Sequence, residues 1–220
     1  MLDTKRYCSL NKTIVLANPN APTGLAVSPK EIEEVLHTNP GNVVIVDEAY
    51  VDFGAQSCVP LIHKYANLLV VQTFSKSRSL AGGRLGVAMG DAALIADLNS
   101  IKFSLNPYNV NRLTLLAGAA AVQDEAYFQQ TCAAIVETRK ATAQRLRQLG
   151  FNVLDSQANF LFVSTPKMAG QELYLVLKSR GILVRHFNAP RISNYLRITV
   201  GTPEQMQVLT DTLQDILTEE

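Results

Sequence analysis

The sequence predicts an α/β chain in two parts. Residues 1–124 read as part of a mainly parallel sheet with its helices, and residues 125–220 as a long connecting helix and a small α+β domain. Three observations carry this. Short runs that are apolar on both faces recur at 13–17 (TIVLA), 42–46 (NVVIV) and 68–72 (LLVVQ), the pattern of strands covered on two sides. A helix with a complete start signal separates the first two runs, and strand–helix–strand is the parallel crossover unit. After Gly150 the texture changes to short strands around a single helix, closed by a last one.

Each element follows from local chemistry. In 28–38 (SPKEIEEVLHT), Ser28 can cap the helix, Pro29 opens its first turn, and Glu31 completes a capping box. Residues 82–89 (GGRLGVAM) read as a further strand after a glycine-rich bend. Residues 92–101 and 110–123 are helical in pattern. The stretch 125–149 is a long helix that Gly150 ends as a C-cap. Its charged residues Glu137, Arg139, Lys140 and Arg145 are expected on the wet face. Beyond it, strands at 151–154, 159–163, 182–187 and 195–200 surround a helix near 169–179, and a final helix follows Pro203. The long helix is expected to be the joint between the two parts.

Composition narrows the function classes. With 47% hydrophobic and 18% charged residues, there is ample apolar surface to bury, so an ordered globular chain is expected. A net charge of +1 announces no basic face, which argues against nucleic acid as a partner. Cys8, Cys58 and Cys132 are odd in number and fit no metal spacing, so they read as reduced thiols. His37, His63 and His186 are scattered and read as surface or packed residues rather than ligands. The first twelve residues carry no long apolar segment of a signal peptide, and no run approaches membrane-spanning length. The cytoplasm is the expected location.

Three motifs carry the chemistry. In VVIVDEAY a buried strand ends in Asp47 and Glu48, with Tyr50 close behind; ligands of open α/β sheets bind beyond that edge. A strand ending in Asp-Glu also suits a P-loop ATPase, but the phosphate loop such an enzyme needs is missing. In TFSKSRSLAGGRLG, Lys76 follows a buried strand among small residues. A lysine so placed can be desolvated, which lowers its pKa and frees the amine to attack an aldehyde. Around it Ser75, Ser77 and Ser79 offer hydroxyls, and Arg84 offers a fork for an anion. Taken alone, this segment also reads as a Ser- and Lys-rich surface loop. NPNAPTG, 18–24, fixes a tight turn beyond a strand, with Asn18 and Asn20 available to face a ligand.

In this order and spacing, with 29 residues from Asp47 to Lys76 and eight from Lys76 to Arg84, the motifs resemble those of the fold-type-I pyridoxal-phosphate (PLP) aminotransferases of class I/II. NPNAPTG, VDEAY, FSKSRSLAGGRLG and YLRITVGTPEQ look most like the histidinol-phosphate branch. The resemblance runs from about Thr13 to the C-terminus, and implies the C-terminal portion of the PLP-dependent transferase fold. It implies pyridoxal 5'-phosphate as cofactor, with Lys76 attached to its aldehyde and moving the proton at the substrate α-carbon. Asp47 would pair with the pyridine nitrogen, and Tyr50, Asn18 and Asn20 would face the ring. Ser75 and Arg84 would hold part of the phosphate. Arg197 matches the arginine that grips the substrate carboxylate, and Arg185 resembles a second arginine that meets the distal anion, though it reads equally as an exposed edge-strand arginine. Small amino and keto acids are the implied substrates, and a homodimer the implied assembly.

Two departures from the family pattern stand out. The position directly before Pro-Thr-Gly, asparagine in most of the family, is Ala21 here. Family members also carry well over a hundred residues before the NPN turn, including a phosphate-binding loop and several strands. A truncated frame, a fragment or one piece of a split protein is therefore expected, with unpaired sheet edges and open apolar faces. Other enzymes of the fold, such as aromatic aminotransferases or threonine-phosphate decarboxylase, and an inactive non-enzymatic remnant, stay open at this level.

Overall fold

A computed structural model of the chain describes residues 3–218. The first sheet contains β1 (Ile14–Ala17), β2 (Val44–Asp47), β3 (Leu68–Thr73) and β4 (Gly86–Gly90), in that spatial order. β1, β2 and β3 run parallel, as their two-faced apolar pattern requires, and β4 is antiparallel to β3. The expected strand at 82–89 therefore starts later, because Ala81–Gly83 makes a short 3₁₀ turn first. α1 (Pro29–Thr38) begins with the expected capping box. Ser28 Oγ accepts from the Glu31 N–H, and Glu31 accepts from the Ser28 N–H at 2.8 Å. Its Ile32, Val35 and Leu36 pack on Ile14, Leu16, Val44, Val46, Leu68 and Val70 to make one core. Each such side chain, fully buried, contributes about 1.5–3 kcal/mol.

β1 and β4 are the edges of this sheet, and Val15 and Val87 on them are exposed. α2 (Ala92–Leu105) and α3 (Arg112–Gln123) are apolar nearly all round, yet α2 buries no residue and α3 only Gly118. Leu105, Leu113, Leu115 and Leu116 lie open to solvent. These are the bare edges and faces anticipated from the sequence.

α4 (Glu125–Gln148) crosses from the first sheet to the second, and Gly150 (φ +87°) follows its end in the left-handed region that glycine adopts without strain. β5 (Asn152–Val153), β6 (Phe160–Ser164), β7 (Arg185–His186) and β8 (Leu196–Thr199) form an antiparallel sheet ordered β5-β6-β8-β7. The outer two strands are shorter than the runs 151–154 and 182–187 had indicated. α4, α5 (Gly170–Ser179) and α6 (Pro203–Thr218) cover one face, with Leu146, Leu161, Val163, Leu173, Leu177, Leu196, Ile198 and Leu213 between.

One expectation on α4 fails. Arg139 does not lie on the wet face; it is 6% exposed, and burial pulls its pKa down. Buried Cys132, Arg139, Thr142, Ala143 and Leu146 recur at helical spacing, so Arg139 sits on the stripe that meets the rest of the protein. All three cysteines are free. No helix among the described residues is long and apolar enough to cross a membrane.

Candidate functional site

Parallel pairing brings the three motifs to one sheet edge. Ala17 lies beside Asp47, and Asp47 beside Val71, so the segments following β1, β2 and β3 emerge together. Two hydrogen bonds extend the ladder past the strands, from the Asn18 N–H to the Asp47 carbonyl and from the Glu48 N–H to the Val71 carbonyl, both 2.8 Å.

Asp47 and Glu48 are adjacent, so their side chains leave the extended backbone on opposite sides. Glu48 is 1% exposed and fully employed: it accepts from the Cys58 N–H at 2.5 Å, the Ser57 hydroxyl at 2.7 Å and Gln72 Nε2 at 2.8 Å. It is a brace; burial, with Glu48 alongside, pushes the Cys58 thiol up to about 12. Asp47 is half-buried, and one of its oxygens accepts from the Ala49 N–H at 3.0 Å.

A row of side chains runs from this edge to the second sheet. Lys76 Nζ lies 5.4 Å from the centre of the Tyr50 ring. The Tyr50 ring meets Phe160 edge-on, with centroids 5.1 Å apart. Beyond, the Arg197 guanidinium lies over the Phe160 ring at 5.1 Å. Lys76 is exposed, so the desolvation anticipated from its small neighbours is not supplied by the described residues. Beside it, the Ser77 hydroxyl donates to Asp52 and ties the lysine loop to the segment after Tyr50. Ser75 is half-buried, with its N–H on Thr73 Oγ1. Arg84 is exposed, takes a left-handed φ of +52°, and donates to the Ala81 carbonyl at 2.9 Å.

The side-chain period of two sorts the β8 residues. Leu196 and Ile198 enter the helix-covered core, and Arg197 between them lies on the opposite face, over the Phe160 ring. Its direct partner across the ladder is Arg185, whose guanidinium lies over Phe187. Two like charges opposite each other destabilise a strand pair unless an anion joins them. The Arg197 Nε is buried with no hydrogen-bond partner among the described residues, a cost of about 1–3 kcal/mol that a bound carboxylate would remove.

The NPN turn needs a correction. Asn18 is 1% exposed, and its amide is spent at both ends on one residue: Oδ1 accepts from the Val27 N–H at 2.9 Å, and Nδ2 donates to the Val27 carbonyl at 3.0 Å. A side chain so committed braces the turn and is no longer available to a ligand. Asn20 accepts from the Thr23 hydroxyl at 2.8 Å through Oδ1, and its Nδ2 makes no side-chain hydrogen bond among the described residues. Ala21 is exposed. Both X-Pro bonds here, Asn18–Pro19 and Ala21–Pro22, are cis. Gly24 (φ +74°) presses on the second sheet's segment: a Cβ there would lie 2.2 Å from Ser156 Oγ, and its carbonyl accepts from the Gln157 N–H at 2.8 Å. Gly24→Ala combines overlap with left-handed strain. It is expected to cost about 2–4 kcal/mol, read as a lowered midpoint in urea unfolding. A midpoint equal to the parent's would show that the contact yields freely.

Phe160 and Asp52 carry no expectation of a site role from the sequence, and Arg139 only that of a solvated residue. For Arg139 a signal existed in its helical phase with Cys132, Thr142 and Leu146. For Phe160 and Asp52 no signal separates them from ordinary core and surface residues.

A sheet edge thus presents an amine, a carboxylate and a phenol, and the Phe160 ring links that edge to Arg197, which pairs with Arg185 on the second sheet. Residues 2–213 match the family described as aminotransferase class I and II, and the chain belongs to that family. It is 49% identical over 217 residues to histidinol-phosphate aminotransferase of Brachyspira hyodysenteriae, covering 98% of this chain and 61% of that protein. Against the enzyme of that name from Acinetobacter baylyi it is 50% identical over 208 residues, covering 94% and 58%. The chain thus spans about three fifths of the length of these curated relatives. The fold also matches a solved histidinol-phosphate aminotransferase from Sinorhizobium meliloti, in complex with pyridoxal-5'-phosphate. There the TM-score is 0.83 and the identity 23%, over 94% of this chain and 57% of that one.

Proposed function

We propose that this chain carries the lysine-bearing part of a histidinol-phosphate aminotransferase, which moves an amino group between histidinol phosphate and 2-oxoglutarate in histidine biosynthesis. The observation that carries the reading is the buried Nε of Arg197, without a hydrogen-bond partner among the described residues, at the end of the row Lys76–Tyr50–Phe160–Arg197. The identity of about one half to enzymes of that name supports the choice of substrate.

The donor set fits pyridoxal 5'-phosphate. An amine at Lys76 suits its aldehyde, a carboxylate at Asp47 its pyridine nitrogen, and Tyr50 and Asn20 its ring hydroxyl. The Ser75 hydroxyl and Arg84 suit its phosphate. When bound, the cofactor supplies an electron-poor ring able to accept the electron pair left at the substrate α-carbon. The chain's own residues do the rest. Asp47, held by the Ala49 N–H, offers a fixed negative charge. Lys76 takes and returns the proton at the α-carbon. Arg197 grips the α-carboxylate of 2-oxoglutarate or glutamate, and Arg185, opposite it on the ladder, meets the phosphate when histidinol phosphate is the substrate. Substrate held between the two sheets is thereby oriented towards Lys76. The same reading carries a homodimer working in the cytoplasm.

The test is chemical. The chain is incubated with pyridoxal 5'-phosphate, reduced with borohydride and peptide-mapped. A phosphopyridoxyl mass confined to the Lys76 peptide is the expected result; no label, or label spread over many lysines, would overturn the proposal. Histidinol phosphate with 2-oxoglutarate is then expected to turn over in preference to phenylalanine, and threonine phosphate to release no carbon dioxide.

A further inference from the structure

Arg139 has no part in the chemistry proposed above, yet it is the buried cation that joins the two halves of the site. Its Nη1 donates two hydrogen bonds, one to the Phe53 carbonyl at 2.7 Å and one to the Ala158 carbonyl at 2.6 Å. Among the described residues no carboxylate pairs with it. Those carbonyls belong to segments 86 and 19 residues away along the chain. Each lies next to a site residue. Phe53 closes the short 3₁₀ turn that Tyr50 opens, and the Phe53 N–H bonds back to the Tyr50 carbonyl. Ala158 precedes Asn159 and Phe160, and the Asn159 carbonyl accepts from the Val200 N–H on the far side of Arg197.

The same two segments touch again through side chains, Tyr50 on Phe160, and Phe160 under Arg197. A second backbone tie, the Gln157 N–H on the Gly24 carbonyl, fastens segment 156–160 to the NPN turn. Burying an arginine without a counter-ion is costly, and carbonyl dipoles compensate only in part. A purely structural bridge at this place could be made by an uncharged side chain or by packing alone. What a guanidinium adds is two donors from one planar nitrogen, which fixes both carbonyls relative to a rigid helix.

We infer that Arg139 is a positioning residue that sets the separation between the cofactor-side groups, Lys76, Asp47 and Tyr50, and the carboxylate-gripping Arg197. The inference rests on the proposed roles of those residues. Its consequence is selective. Loosening the clamp displaces Arg197 from the carboxylate while leaving Lys76, which follows β3 in the first sheet, able to react with the cofactor.

Arg139→Gln and Arg139→Lys separate this role from simple stability. Three quantities are read: the borohydride-trapped yield at Lys76, the dissociation constant of succinate as a dicarboxylate probe, and hydrogen exchange of the amides near residues 51–55 and 157–160. In Arg139→Gln, succinate binding is expected to weaken about tenfold, with faster exchange in both segments and an unchanged yield at Lys76. Arg139→Lys keeps a cation able to reach both carbonyls and is expected to weaken succinate about threefold. Should the glutamine variant fail to fold, the lysine variant decides. Succinate affinity within 1.5-fold of the parent in the lysine variant, or affinity and labelling falling together, would overturn the inference. If the parent itself takes no label at Lys76 but binds succinate, the proposed cofactor role fails, while exchange and succinate affinity still judge the clamp.

Discussion

Replacing Lys76 by arginine is expected to abolish capture of pyridoxal 5'-phosphate and to lower amino transfer by on the order of 10⁴-fold. Arginine keeps the charge and the reach of lysine, but its guanidinium stays protonated and offers no free amine to an aldehyde. The phosphopyridoxyl mass at position 76 should vanish after reduction, without compensating label elsewhere. The Lys76 side chain is exposed and makes no hydrogen bond or ion pair among the described residues; its Nζ lies 5.4 Å from the centre of the Tyr50 ring. Stability should therefore change by less than about 0.5 kcal/mol. The loss would be chemical, read as an unchanged unfolding midpoint beside a vanished label. A variant that still takes full label would show that another amine does the capturing.

Arg197→Met is expected to reverse the usual link between function and stability. Loss of a two-pronged grip on a carboxylate should weaken dicarboxylate binding by about 3 kcal/mol, roughly a hundredfold. The folded chain should not suffer. Its buried Nε has no acceptor among the described residues, and Arg185 stands directly across the ladder, so the wild-type arginine carries uncompensated desolvation and like-charge repulsion. Methionine fills the same space and keeps a sulfur contact with the Phe160 ring, in place of the guanidinium now lying over it. A net gain of about 1 kcal/mol would raise the melting temperature by roughly 2–4 °C. Calorimetry and a succinate titration on one preparation check both halves. A melting temperature that falls in step with affinity would make Arg197 a structural residue.

These effects trace to a division of labour between chain and fold. Patterns confined to one segment were open to reading. Two-faced apolar runs place β1, β2 and β3, and Ser28 with Glu31 starts α1 because a capping box closes within one turn. Gly150 ends α4 because a left-handed φ favours glycine. Those strands carry Asp47, Tyr50 and Lys76 to one edge, since parallel pairing aligns strand ends. The direction of β4 could not be read, because its partner lies across a bend whose hand the sequence leaves open. Of two adjacent acids, packing alone decides that Glu48 turns inward to Cys58, Ser57 and Gln72.

Asn18 and Arg139 mark the other side of that division. An asparagine in a turn is equally able to face a ligand or to pair with its own backbone, and only the return of the chain at Val27 settles it. A charged residue on a helix is expected in water by composition, while Arg139 is buried because Phe53 and Ala158, distant in sequence, bring two carbonyls to it. The sequence by itself determined the strands of the first sheet and the family the chain belongs to. The tertiary structure alone decided which polar groups are spent on backbone and which stay free. A hydrogen bond is satisfied by whatever lies within about 3 Å, and that neighbour need not be near in the chain.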